Sequence, residues 1–168
     1  MPNEYKQTIA DMVKSTRFCM MTYVAQSGNL HACPMTTQAQ DDDGTIWFLG
    51  SRSSDTVEAI GHDDRVNVSF SQPGSQDFVS LNGRALLVHD EAKVDALWSD
   101  MYKTFFPQGR QDPDIQLICF APVGGQYWKG EGKISTLFKL TKAAVGGGAP
   151  TSLGESHAVS YAQPDILR

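Results

Sequence analysis

Residues 30–60 read LHACPMTTQAQDDDGTIWFLGSRSSDTVEAI, and the choice of fold turns on them. Residues 30–38 alternate as a half-buried strand does, and Asp41-Asp42-Asp43-Gly44 is the turn that follows. Residues 45–49 (TIWFL) are rich in β-branched and aromatic side chains, which favours a second pleated strand. Gly50-Ser51-Arg52-Ser53-Ser54 then offers backbone amides, hydroxyls and a guanidinium just ahead of a helix beginning near Thr56-Val57-Glu58-Ala59-Ile60. Such a loop suits an anion, because the first N–H groups of a helix have no intrahelical partner. On spacing alone, Ser53 or Ser54 capping the helix is the simpler reading.

Working outward, the chain continues as short strands joined by tight turns. Residues 3–15 place Tyr5, Ile9, Met12 and Val13 on one helical face, with Asn3 as the expected N-cap. Residues 17–25 (RFCMMTYVA) form an apolar strand that turns at Gln26-Ser27-Gly28-Asn29 into residues 30–38. After the central helix, residues 65–71 (RVNVSFS) put Val66, Val68 and Phe70 on one face and Asn67 and Ser69 on the other. Residues 77–89 make a long strand broken at Asn82-Gly83, where a bulge would bend it as closure of a barrel requires. Residues 90–104 carry a helical stripe of Val94, Leu97, Trp98 and Met101, and the loop at 105–113 stops it. Residues 115–121 and 125–129 read as two strands across a turn at Pro122-Val123-Gly124. A short helix is expected at 133–144, a Gly-rich linker from 145, and an edge strand or swapped tail at 157–161. Closely spaced, hairpin-linked strands with peripheral helices indicate α+β with a closed or split antiparallel barrel.

The 168 residues fit one domain with a full core. A formal charge of −5 without basic runs argues against nucleic-acid or anionic-membrane binding. Three unpaired cysteines, Cys19, Cys33 and Cys119, give neither a disulfide framework nor a zinc motif. A polar N-terminus and short apolar runs make a cytoplasmic location the default.

Hydrolytic chemistry finds little support. His31, His62, His89 and His157 are scattered and sit in no metal motif. There is no nucleophile elbow, and Gly146-Gly147-Gly148 lacks the lysine of a phosphate loop. Asp41 to Asp43 reads as a solvated turn, since a calcium loop needs further spaced oxygen ligands.

A resemblance emerges from an ordered set of short motifs. These are Pro34-Met35, Asp43-Gly44-x-Ile46-Trp47-Phe48, Ser51-x-x-Ser54, residues 65–70, Val79-Ser80-Leu81-Asn82-Gly83-x-Ala85, Leu97-Trp98, Phe106-Pro107-x-Gly109 with Asp112-Pro113, and Tyr127-Trp128. In this order the chain resembles the FMN-binding split-barrel superfamily, and within it the general stress protein branch related to pyridoxamine 5'-phosphate oxidase. The resemblance implies α+β, a six-stranded antiparallel split β-barrel with peripheral helices, over residues 1–144. Residues 145–168 would be a Gly-rich tail with a short edge strand. It also implies a homodimer with FMN, or another small planar ligand, at each end of the subunit interface.

Carried over by position, the cofactor site comprises Cys33, Pro34, Met35 and Thr36, then Phe48, Leu49, Gly50, Ser51, Arg52, Ser54 and Thr56, with Trp98, Phe106 and Trp128 as walls. In such proteins a basic residue just before Pro-Met and a lysine two positions after the loop serine grip the phosphate. Here Cys33 and Thr56 hold those places, with Asp55 between Ser54 and Thr56. Charge-assisted hydrogen bonds contribute about 1.5–3 kcal/mol each, so losing two weakens binding by roughly two to four decades. Arg52 is the one nearby side chain able to compensate. The function implied is a flavin-dependent oxidoreductase with a weakened phosphate grip. The alternatives are a non-catalytic dimeric ligand-binding protein and a degenerate stress protein without flavin. No catalytic residue is identifiable.

Overall fold

The computed structural model describes residues 2–130 and 154–162. They form α1 (Pro2–Thr16), β1 (Phe18–Val24), β2 (Leu30–Thr36), β3 (Ala39–Gln40), β4 (Ile46–Ser51), α2 (Asp55–His62), β5 (Arg65–Gln72), β6 (Asp77–Val88), α3 (Glu91–Leu97), β7 (Ile115–Gly130) and β8 (Gly154–Ser160). One antiparallel sheet runs in the order β2-β1-β5-β6-β7-β4-β3, with β8 added along β7. The α+β half-barrel is therefore as expected: β1, β2, β4, β5, β6 and β7 are its six main strands, and β3 and β8 are edge additions. The helix expected at 133–144 and the start of the linker lie outside the described residues.

Alternation decides which way the sheet curls. Val66, Val68 and Phe70 of β5 are buried together with Met21, Tyr23, Phe48, Leu81, Ile118 and Phe120, all inside the curve. Ile9 and Val13 of α1 and Val57, Ala59 and Ile60 of α2 plug that interior from the helical side. Helix α1 begins at Pro2, one residue before the expected cap Asn3; proline suits a first helical turn, where its missing N–H costs nothing.

The bend in β6 falls at Asn82-Gly83, as the broken pattern indicates, and there the register against β7 shifts. Only glycine fits, because a Cβ on Gly83 would lie 2.2 Å from the Ala121 carbonyl oxygen. Opposite it the expected turn at 122–124 does not exist: β7 is one strand of 16 residues. Pro122 lies where the strand changes partners, after Phe120 pairs Ile46 of β4 and before Gly124 pairs Ser160 of β8. A residue without an N–H is tolerated at such a gap in the ladder. The helix expected over 90–104 is also two pieces. It is capped by the Asp90 carboxylate, which accepts from Lys93 N at 2.9 Å, stops at Trp98 in extended conformation, and resumes as a 3₁₀ turn at Asp100–Thr104. Met101 is consequently exposed rather than on the stripe.

The split lies between β2 and β4. Residues 37 and 38 bridge it, Thr37 N donating to Arg17 O (2.8 Å) and Gln38 N to Trp47 O (2.9 Å). Among the described residues, β2 pairs only with β1, and β3 covers the outer edge of β4 only at Ile46 and Trp47. From Phe48 to Ser51 that edge of β4 has no strand partner among the described residues.

Candidate functional site

The β4–α2 bend is built by its serines. Ser54, with φ −81° and ψ 148°, is the N-cap: its Oγ accepts from Val57 N at 3.3 Å and donates to Ser51 O at 2.7 Å. This is the capping role that spacing alone favours, and it commits the loop serine to the backbone. Helix α2 is thereby started with Thr56 and Val57 buried, Thr56 against Cys33 of β2 and Val57 near Gly50 of β4.

The positions expected to hold a flavin split into three groups. Cys33 on β2 and Thr56 on α2 come together, Sγ to Oγ1 at 3.2 Å. Met35 and Gly50 also converge there, since a Cβ on Gly50 would lie 4.0 Å from Met35 Cε and 3.4 Å from Val57 Cγ2. Thr36 ends β2 beside them, half-buried, while Phe48 is fully buried and offers a ligand only its backbone. Trp98 and Phe106 form a second group, ring centroids 6.5 Å apart, with Tyr102 against Trp98 at 5.8 Å. The Tyr102 hydroxyl hydrogen-bonds Gln38 Oε1, which pins this aromatic cluster to the bridge across the split. Trp128 belongs to neither. It stands on the far half of β7, opposite Phe78, and is 41 % exposed.

One residue of the site has no local signal in sequence. Asp114, just ahead of β7, reaches the bend: the Ser51 hydroxyl donates to its Oδ2, Ser53 N donates to Oδ1 at 2.9 Å, and Arg52 N donates to its carbonyl at 2.6 Å. These hydrogen bonds, the one from Ser51 foremost, hold its carboxyl below the ordinary value of 3.8. The Phe106-Pro107-x-Gly109 and Asp112-Pro113 motifs shape the loop that presents it. Buried Asp112 accepts from Gln108 N (3.1 Å) and from Asp114 N (3.0 Å), closing the turn.

Arg52 points elsewhere. Its Nη2 lies 3.5 Å from the Ile115 carbonyl, and it borders a cavity of about 410 Å³ with Val88, His89, Asp95, Arg110 and Leu117. It also borders an open recess of about 370 Å³ on the outer side of α2. Neither hollow includes Cys33, Met35, Thr36 or Thr56. The expectation that Arg52 would replace the missing cations is unsupported by this geometry.

A phosphate dianion does not fit here. The Ser51 and Ser53 donors are taken by Asp114, Ser54 caps the helix, and Cys33 and Thr56 face each other as neutral partners. Asp55 and Glu58 stand exposed on the first turn of α2. A planar ring fits better. The unpaired edge of β4 supplies main-chain donors and acceptors across the split from the unpaired edge of β2. Among the described residues no cluster of His, Cys, Asp or Glu suits a metal ion, and no helix is long and apolar enough to cross a membrane.

Residues 4–151 match the family model described as pyridoxamine 5'-phosphate oxidase like. The chain belongs to this family. Among solved structures, the general stress FMN/FAD binding protein of Xanthomonas citri is 30% identical, with a TM-score of 0.68 over 77% of this chain and 92% of that one. A candidate general stress protein 26 from Jannaschia sp. CCS1 is 25% identical, with a TM-score of 0.75 over 94% and 99%. A candidate general stress family protein from Xanthomonas campestris is 30% identical, with a TM-score of 0.68 over 79% and 92%. None of the curated proteins compared matches. Within the pyridoxamine 5'-phosphate oxidase like family, then, this member keeps the split barrel, with Cys33 and Thr56 in contact between β2 and α2 and Asp114 at the β4–α2 bend.

Proposed function

We propose that the protein binds the planar ring of a flavin in the split between β2 and β4, as a dimer, and serves as a binding protein rather than an acid–base catalyst. The observation that carries this is the edge of β4 from Phe48 to Gly50, which has no strand partner among the described residues and lies near Met35 of β2 across the split. A flavin ring edge alternates hydrogen-bond donors and acceptors, which a free strand edge matches. The name of the Xanthomonas citri relative, an FMN/FAD binding protein, supports the same ligand class.

Among Cys33, Met35, Thr36, Ser54 and Thr56 there is no carboxylate, imidazole or amine to move a proton, so these residues serve to hold and orient the ring. The convex face of the sheet supports the dimer. Phe18, Met20, Phe78 and Trp128 stand exposed there around the polar row Asn67, Ser69 and Ser80, whose side chains hydrogen-bond one another. Pairing through it would place Trp128 at the subunit contact.

Titrating flavin with flavin-free protein tests the reading: fluorescence should quench to saturation at one ring per chain, and sedimentation should give a dimer. Undiminished fluorescence at protein concentrations far above the flavin would end it. Multiple turnovers of ring reduction by a nicotinamide donor would instead move the protein among the oxidoreductases.

A further inference from the structure

Resting on that reading of the split, we propose that the site selects a flavin without phosphate, of the riboflavin class, over FMN. Where the tail of a ring lying in the split would end, the chain presents neutral groups ringed by negative ones. Cys33 and Thr56 touch at 3.2 Å and are 23 residues apart in sequence, so the two places where cations would meet a phosphate are closed on each other. The two donors at the bend, the Ser51 hydroxyl and Ser53 N–H, already hold an anion of the chain's own, Asp114. Its backbone is held by the Asp112 turn, Asp114 N donating to Asp112 Oδ1 at 3.0 Å, and by Arg52 N donating to its carbonyl.

The charge count points the same way. Asp55, Glu58 and Asp114 carry three negative charges around the bend against one positive charge on Arg52, whose guanidinium lies on the Ile115 side. A phosphate ester brings a further −1.5 to −2 at neutral pH, roughly, and would meet like charge with the Ser51 hydroxyl and the Ser53 N–H already engaged. The hydroxyls of an uncharged ribityl chain ask for the opposite surroundings. They donate to carboxylates such as Asp55 and Asp114, and they pack beside a thiol and a threonine with no charge to compensate. Asp114 thus acts as a built-in counterpart of the phosphate, and the tail pocket as a selector against it.

Parallel titrations of the native chain with riboflavin, FMN and lumiflavin, the ring without a tail, test this. Riboflavin should bind at least as tightly as FMN, and the gap should narrow as added salt screens the repulsion. FMN binding about tenfold or more tighter than riboflavin would overturn the proposal and leave the ring site standing. Lumiflavin bound while both tailed flavins are rejected would overturn it too. Failure of all three would remove the ring reading itself. The double variant Cys33→Arg with Thr56→Lys should shift the preference toward FMN over riboflavin by roughly a hundredfold, each restored charge contributing about one decade. If that variant does not fold by circular dichroism, the native comparison decides alone.

Discussion

Strand β4 is held at each end by an aspartate, and the two ends behave differently. At its start Asp41 accepts from Trp47 Nε1 at 2.6 Å and lies 3.6 Å from Lys93 Nζ, which sits 4.4 Å over the Trp47 ring. At its finish Asp114 is held by a serine hydroxyl and a backbone amide. The first carboxylate is matched by a cation and ties α3 to the sheet. The second is hydrogen-bonded by neutral donors, with the Arg52 charge as a weaker, more distant influence. The same residue type takes one hydrogen bond and an ion pair at one end and two hydrogen bonds at the other.

The comparison breaks most severely if cations are restored at the second end. Cys33→Arg with Thr56→Lys converts the tail pocket, and FMN affinity should rise by roughly two decades in a fluorescence titration. Next in size, Ser54→Ala removes the cap that positions the bend. Thermal unfolding should show a loss of about 1 kcal/mol, with a Tm lower by about 2–4 °C. Lys93→Ala unbalances the first end, and its half-exposed ion pair and ring contact together are worth about 0.5–1 kcal/mol in denaturant melts.

The smallest effect is on pH dependence. The Asp114 carboxyl is depressed in the folded chain, so its stabilising contribution is complete above 3.8 and is lost as pH falls through the lower folded value. Asp114→Asn should therefore be less stable than the native chain near neutrality and converge with it in strong acid. Parallel melts across that range that never converge would show that Asp114 acts by shape alone.

Much of the fold is written in local pattern. The alternation Val66-Asn67-Val68-Ser69-Phe70 fixes which face of β5 is buried, and Asn82-Gly83 marks the bend that curls the sheet. The errors arise where tertiary pairing overrides such patterns. Pro122 followed by glycines reads as a turn, yet it is a change of partner within one strand, visible only once β4 and β8 are in place. The stripe Val94, Leu97, Trp98, Met101 reads as one helix, but Trp98 leaves it to meet Tyr102 and Phe106. In the site, Cys33 and Thr56 are found by their position in a motif, and the structure shows what position cannot, that they touch. Asp114 was out of reach. It is 63 residues from Ser51, and a single aspartate after a proline carries no local signature of the loop it will fill.

The unbroken β7 has a mechanical corollary. Its first half is flanked by β4 and β6, its second by β6 and β8, and the junction is a residue that donates no main-chain hydrogen bond. Amide exchange should accordingly divide along a single strand: slow through Leu117 to Phe120, where both neighbours are long, and faster from Gly124 to Lys129, where release of one seven-residue ribbon opens a side. A protein that loosens there first would keep the β4–α2 end closed while the opposite end breathes.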